Sequence, residues 1–214
     1  MSKRLIFALF LLGQFSLSGQ VLGLLKYGGG GDWYANPTAL KNLSVFYNAT
    51  TGAKTTVAPN EFTLEDILVS GVSFLHATGH GRIVFDEKER QILNDFVKRG
   101  GFLHIDDNYG MKVFAESELD ECFPQAKKVN VANNHPIFNT LFELDGLPKI
   151  HEHDNEQPKA IGYFINGELI AILTVESDIG DGWEDPQVHN DPKEKRDKAL
   201  KMGANLVHWA IVRH

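Results

Sequence analysis

The sequence predicts an α/β fold built on a mostly parallel sheet. Residues 71–108 contain an apolar run, an amphipathic helical pattern and a second apolar run. This order is typical of a right-handed crossover between two parallel strands. Apolar runs and helical patterns keep alternating from residue 21 onward, without a repeat or a linker. With 43% hydrophobic and 23% charged residues, the composition suits an ordinary globular core. We therefore expect one domain over residues 20–214.

Residues 1–19 have the pattern of a secretory signal peptide. A short basic start with Lys3 and Arg4 precedes an apolar stretch and small residues suited to cleavage. The apolar stretch is shorter than the roughly 20 residues that cross a bilayer. An uncleaved N-terminal anchor is the alternative. We expect a mature chain that is periplasmic or secreted and has no transmembrane span.

Charge and cysteine content argue against a nucleic-acid-binding protein and against a fold held by disulfides. The formal charge is −7, and no basic stripe is present to neutralise phosphates, so we expect no nucleic-acid partner. Cys122 is the single cysteine, which rules out an internal disulfide. Its position before Phe123-Pro124 favours a buried structural thiol at a helix end over a nucleophile.

The first half of the domain gives clear start and stop signals. A strand is predicted over 21–27, and Asn36-Pro37 would open a helix as N-cap and first helical residue. A short strand at 55–58 and a helical turn at 63–69 follow. The next helix begins at Asp86 with a capping box and ends at Gly100-Gly101.

The second half begins with a helix near 109–122, a strand near 127–131 and a helical turn at Pro136–Phe142. Residues 160–176 form two β-rich runs around Asn166-Gly167, the favoured pair for a tight turn. We expect this C-terminal β-hairpin to lie at an edge of the sheet. A final helix opens at Asp191-Pro192.

Polar loops follow the first strands of the predicted sheet. Ligands of parallel sheets gather at the C-terminal ends of the strands. The first loop, residues 28–34, has a glycine run, which can bind an anion, but it lacks the pattern of a nucleotide-binding loop. Its Trp33 and Tyr34 either line a site or pack over the sheet.

Histidines and aspartates end the two strands of the crossover. His76 and His80 end the first strand, with glycines that favour a loop. Strand alternation places His104 and Asp106 on one face and Asp107 on the other. The two aspartates can bind a cation, act as acid and base, or cap the next helix, and capping is favoured for either one.

Two later segments carry further metal-ligand residue types. Residues 176–186 are acidic and rich in glycine, which permits calcium but does not match the EF-hand spacing. The favoured interpretation is a structural loop in which Trp183 plugs the domain and the acids are solvated. His151 and His153 would lie together in an extended segment and permit a metal, although an exposed polar loop is favoured.

Several segments together resemble a bacterial family catalogued as domain of unknown function 4159. They are KYGGGGDWYANPTALKNL, GGFLHIDDNYG, NHPIF, AIGYFINGELIAIL and SDIGDGWEDP. The family is similar to class I glutamine amidotransferases, which implies a three-layer, doubly wound, flavodoxin-like fold. Where those enzymes carry a nucleophilic cysteine, the matching segment FLHIDDN offers Asp106 and Asp107. The resemblance therefore implies neither glutaminase nor cysteine-protease activity.

Two functions of different classes follow. The favoured one is a non-enzymatic binding module for a sugar-like or other envelope-derived small molecule. The expected ligand-binding set is Gly30, Gly31, Asp32, Trp33, Tyr34, His80, Asp106, Asp107, Asn108, Tyr109, Asp181, Trp183 and Glu184.

The alternative is a metal-assisted hydrolase or lyase with Asp106, Asp107 and His80 as catalytic candidates. The metal-ligand candidates are His80, His104, Asp106, His151 and His153. The sequence requires no cofactor and permits a divalent metal. An envelope protein partner would need only an exposed apolar patch.

Overall fold

The computed structural model describes residues 20–58 and 63–213, so the predicted signal peptide lies outside the described residues. The strands are β1 Val21–Leu24, β2 Thr56–Val57, β3 Val72–His80, β4 Phe102–Tyr109, β5 Lys127–Asn130, β6 Lys159–Ile165 and β7 Glu168–Val175. The α-helices are α1 Ala39–Thr51, α2 Ile67–Ser70, α3 Glu87–Lys98, α4 Lys112–Cys122, α5 Ile179–Trp183, α6 Pro186–His189 and α7 Lys193–Val212. Short 3-10 turns cover Leu64–Asp66 and Pro136–Phe138.

The strands form one seven-stranded sheet in the order β2-β1-β3-β4-β7-β6-β5. The first five strands in this order, from β2 to β7, are parallel to one another. Strand β6 is antiparallel to both β7 and β5. The predicted mixed α/β architecture with a mostly parallel sheet is therefore confirmed.

The position expected for the 160–176 hairpin was wrong. Strand β7 pairs with β4, and β6 pairs with β5, so neither strand is at an edge. The reason lies in the burial of β7, where Leu169–Val175 is buried without interruption. A strand that is covered on both faces is typical of the interior of a sheet.

Hydrophobic cores lie on both faces of the sheet. Leu75 and Leu103 belong to the core that packs against α3 and α4, while Phe74 and Phe102 belong to the core under α1 and α7. Strand alternation continues this second face with polar side chains, which are His76, Thr78, His104 and Asp106. The C-terminal ends of β3 and β4 thus bring polar groups beneath α1, α5 and α7. Among the helices of the described residues, none is both long and apolar enough to cross a membrane.

The short helix α5 packs closely on α7 through Gly182. A methyl group at this position would lie 2.4 Å from the Cβ of Ala199. We therefore expect Gly182→Ala to lower the free energy of unfolding by about 1–3 kcal/mol, because the methyl overpacks the interface. Urea unfolding measures this loss. The double variant Gly182→Ala/Ala199→Gly moves the methyl across the interface and should recover part of it, less about 1 kcal/mol for a glycine within α7. No loss in the single variant would contradict this packing.

Candidate functional site at the C-terminal ends of the strands

A buried polar network joins the loop after β1 to β3, β4 and α5. The hydroxyl of Thr78 lies 2.8 Å from Asn36 Oδ1 and 2.9 Å from Asn108 Oδ1. The amide nitrogens of Asn36 and Asn108 donate to Asp181 Oδ1 at 2.6 and 3.0 Å. Asn36 therefore does not act as the predicted N-cap, and α1 begins at Ala39 instead. These contacts fix the carboxylate of Asp181 at the end of the sheet.

The second carboxylate oxygen of Asp181 faces His151. The Nδ1 atom of His151 lies 3.0 Å from Asp181 Oδ2 and 3.4 Å from Asp178 Oδ2. On the other side of the ring, Nε2 lies 3.1 Å from Asp191 Oδ2. Hydrogen bonds with Asp178 and then Asp181 raise the pKa of His151 to about 10, against the opposing effect of burial. The environment of this imidazole thus strongly favours a positive charge.

Asp178 links two histidines and keeps one oxygen unpartnered. His153 Nε2 lies 2.5 Å from Asp178 Oδ2, the same oxygen that faces His151. The other oxygen, Oδ1, is buried and has no hydrogen-bond partner among the described residues, and Asp178 is only 1% exposed. Asp178 and Glu176 also have φ angles of 55° and 56°, in the left-handed region that non-glycine residues rarely adopt. Such strain is typical of functional sites.

His189, at the end of α6, completes this group. Its Nε2 lies 3.8 Å from Asp181 Oδ1, and its ring centroid lies 5.1 Å from that of His151. Burial would raise the pKa of Asp181, but hydrogen bonds from His151 and Asn36 and the nearby imidazoles outweigh it and leave this pKa below its ordinary value. We call His151, Asp178, Asp181, His189 and Asp191 the imidazole–carboxylate cluster.

A second chain of polar groups lies deeper under α5. His76 Nδ1 is 3.0 Å from His104 Nδ1, and His104 Nε2 is 2.9 Å from the hydroxyl of Thr174. Thr174 also hydrogen-bonds Asp106, whose other oxygen accepts from the backbone N–H of Gly180 at 2.7 Å. Burial, and then the charge of Asp178, raises the pKa of Asp106 well above its ordinary range. His104 and Asp106 therefore belong to one buried series of hydrogen bonds that runs through Thr174.

Asp106 and Asp107 point to opposite faces, as strand alternation predicts. Asp107 accepts from the backbone N–H groups of Met111 and Lys112 at 2.7 and 3.1 Å, which caps the start of α4. The capping role that the sequence favoured thus applies to Asp107, whereas Asp106 binds the start of α5. Because they lie on opposite faces of β4, the two carboxylates do not form one centre.

The glycine-containing first loop forms its own contacts. Asp32 accepts from the backbone N–H of His80 at 2.5 Å and pairs with its Nδ1 at 3.0 Å. Gly31 donates to Arg82 O at 2.9 Å, while a side chain at Gly30 would meet open space. Trp33 packs partly buried against the core, and Tyr34 meets it edge-on and is 62% exposed. Of the two alternatives for these aromatics, packing over the sheet describes Trp33.

The acidic loop plugs the domain as expected, but its acids are not solvated. Trp183 is fully buried, so its ring is not presented to solvent as a stacking surface. Glu184 is 2% exposed and its carboxylate accepts from the backbone N–H of Thr38 at 2.8 Å, at the start of α1. Asp178 and Asp181 are buried as well. The correction has a physical cause, since each of these carboxylates has donors from distant segments.

Sequence reasoning did not identify Asn36, Thr78, Asp178, Asp191 or His189 as individual site residues. Asn36 and Asp191 each precede a proline, which made both look like helix caps. The pair His151 and His153 was identified, and the structure brings both to Asp178. Their partners come from segments 25 to 40 positions away in the sequence, which local spacing does not reveal.

A cleft of about 310 Å³ opens beside the cluster, at the ends of β4 and β7. Tyr109 stands at its rim, 49% exposed, with its ring centroid 4.9 Å from that of His153. The tyrosine hydroxyl donates to Asp154 at 3.3 Å. The cleft is lined by Asp107, Asn108, Tyr109, Gly110, Lys112, His153, Asp154, Glu156, Val175 and Glu176.

These features define a mixed α/β domain with a polar site where its parallel strands end. The sequence model of one family, described as domain of unknown function DUF4159, matches residues 21–211. The chain belongs to this family. A search of curated proteins found no match.

Proposed function

We propose that the chain is a secreted or periplasmic domain that binds a small, sugar-like or other envelope-derived molecule, on a class I glutamine amidotransferase-like scaffold. The strand order β2-β1-β3-β4-β7 supports this scaffold, because it is the order of doubly wound, flavodoxin-like sheets. Helix-packed cores on both faces support a three-layer arrangement. In such folds ligands bind outside the carboxyl ends of the strands.

The position of the single thiol supports binding without amidotransferase chemistry. Cys122 is 1% exposed at the end of α4, and burial raises its pKa to about 12. A thiol with such a pKa supplies very little thiolate at neutral pH, and the thiolate is the reactive form. Glutamine hydrolysis through a cysteine is therefore not part of the proposal.

The exposed ring of Tyr109 at the cleft carries the proposal. An aromatic face beside hydrogen-bonding groups suits a ligand with apolar C–H faces and many hydroxyls. Lys112, Asp154 and Glu176 supply donors and acceptors around this ring. Because the lining contains four carboxylates and one lysine, the combination favours a polyhydroxylated ligand without negative charge.

We expect a bacterial envelope sugar to raise the unfolding temperature of the wild-type chain, and Tyr109→Ala to weaken its binding about 10-fold through loss of the aromatic contact. Saturation at 100 times the dissociation constant adds about 2.7 kcal/mol of stability, which thermal-shift measurement detects. Tyr34→Ala is the matched control, because Tyr34 is also an exposed tyrosine but lies outside the cleft. The proposal fails if none of a panel of envelope mono- and disaccharides stabilises the chain, or if both variants respond alike.

The metal-assisted hydrolase first considered would need Asp106 and Asp107 at one centre. Their contacts with α5 and α4, respectively, separate them. His80 is engaged with Asp32 at the first loop. The geometry therefore favours ligand binding in the cleft over a hydrolase that is built on these three residues.

A further inference from the structure

We propose that His151, Asp181 and His189 form a binding site for one divalent transition-metal ion of the zinc type, with Asp178 at its border. This site adjoins the proposed sugar-binding cleft, but none of its three ligands lines that cleft, so the two proposals can be tested separately. Each of the three residues offers a ligand atom, and these atoms lie within 4.8 Å of one another.

The spacing of the ligand atoms suits a small tetrahedral ion. With zinc–ligand bonds of about 2.0–2.1 Å, neighbouring ligand atoms of a tetrahedral site lie about 3.3 Å apart. Here His151 Nδ1 is 3.0 Å from Asp181 Oδ2, and His189 Nε2 is 3.8 Å from Asp181 Oδ1. The two distances involve different oxygens of Asp181, and the three ligand atoms lie within 4.8 Å of one another, so the side chains must move closer together to surround one ion.

The donor types select the class of metal. Two imidazole nitrogens and one carboxylate are ligands that zinc and similar transition metals accept, whereas magnesium and calcium prefer oxygen ligands only. The side chains of His151 and His189 are 24% and 30% exposed, so the site has a route to solvent. Three protein ligands would leave the fourth tetrahedral position open to water or another small ligand.

The surrounding residues hold the ligands in the orientation that a metal requires. Asp191 accepts from His151 Nε2, so that Nδ1 is the nitrogen directed at Asp181. A carboxylate behind a metal-bound histidine is a recurrent feature of zinc sites. Asn36 and Asn108 donate to Asp181 Oδ1 and leave Oδ2 directed at His151.

The unpartnered oxygen of Asp178 is an independent observation in favour of a cation at this place. A buried carboxylate oxygen without a donor costs free energy, because the group has lost its hydration. Asp178 is 1% exposed, and its Oδ1 accepts no hydrogen bond within the described part of the chain. Its other oxygen lies 3.4 Å from the proposed ligand atom of His151. A cation beside this carboxylate would offset the cost.

Metal content and affinity test the site directly. Untagged protein is stripped with a chelator, and Zn²⁺ is then titrated by calorimetry, with Mg²⁺ in a parallel titration. We expect one equivalent of Zn²⁺ to bind. In the parallel titration we expect Mg²⁺ to show no saturable binding. His189→Ala, which removes an exposed ligand, should weaken Zn²⁺ binding about 100-fold or more, and Asp191→Asn about 10- to 100-fold.

His80→Ala is the matched control, because His80 is also an exposed histidine 3.0 Å from a carboxylate, that of Asp32, outside the cluster. It should bind Zn²⁺ like the wild type. Far-UV circular dichroism checks that each variant is folded, and the exposed position of His189 makes its replacement compatible with folding. Wild-type protein without a saturable Zn²⁺ site overturns the proposal, and so does equal affinity in His189→Ala. Either result would assign the cluster to a proton-stabilised ion network and would leave the proposal of sugar binding at Tyr109 standing.

Discussion

Trp183→Ala is expected to lower the free energy of unfolding by about 3–5 kcal/mol, the usual cost of truncating a buried tryptophan. Trp183 is fully buried, and its indole N–H donates to Ala199 O on α7 at 2.8 Å. Its ring also packs against His76 and His104 of the sheet, with centroids 5.0 and 5.8 Å away. The side chain thus connects α5 to both α7 and the strands, and its removal leaves a cavity at their junction. Equilibrium unfolding in urea gives the loss.

Tyr34→Ala serves as the control for this experiment as well, since its exposed ring should change stability by no more than about 0.5 kcal/mol. A loss below about 1 kcal/mol in Trp183→Ala would mean that α5 is not anchored by this residue. Because α5 carries Asp181, we also expect Trp183→Ala to weaken Zn²⁺ binding.

The buried histidine pair should make the fold sensitive to acid. Burial lowers the pKa of His76 to about 3. Burial, and then the neighbouring His76, lowers the pKa of His104 well below its ordinary value. Between about pH 3 and pH 6.5 the unfolded chain binds a proton at His76 and the folded chain does not, so stability falls as pH falls. The lowered pKa of His104 acts in the same direction. The contribution of His76 in this window is about 1.4 kcal/mol per pH unit.

The variant His76→Asn isolates this contribution. His76 faces His104 of β4 and Trp183 of α5, and Asp106 lies further along the same chain of polar groups. The raised pKa of Asp106 acts in the opposite direction, because the folded state takes up its proton first, but this effect is common to both proteins. We expect the slope of unfolding free energy against pH, measured from pH 4 to 6, to be smaller by about 1.4 kcal/mol per unit in the variant. Parallel slopes would show that His76 becomes protonated in the folded state.

Local patterns in the sequence predicted most elements of the fold. The capping box of Asp86 and Glu89 is present, and the turn at Asn166-Gly167 joins β6 to β7 as expected. These features depend on residues three or fewer positions apart, so one sequence is enough to identify them. The partner of each strand is a different matter, because pairing of β7 with β4 depends on contacts across about 70 residues.

The sequence placed the candidate site at the ends of the parallel strands, and the structure gathers a different set of polar residues there. Parallel topology predicts that polar groups meet at the strand ends, and the alternation of Asp106 and Asp107 is correct. The assembly of His151, Asp181 and His189 depends on where α5 and α6 pack, and Trp183 anchors α5 on α7. Local rules assign Asn36 to a helix cap, but its side chain instead donates to the buried Asp181. The sequence does not reveal this distant partner.

The interior position of the hairpin also protects the chain from self-association. The apolar run of β7 would expose unpaired backbone groups at a sheet edge, where another copy could add a strand. Instead the outer strand on that side is β5, which is four residues long and begins with the exposed Lys127 and Lys128. On the opposite side β2 has two residues. Short and lysine-bearing borders are a known protection against edge-to-edge aggregation, and they favour a chain that remains dispersed at high concentration.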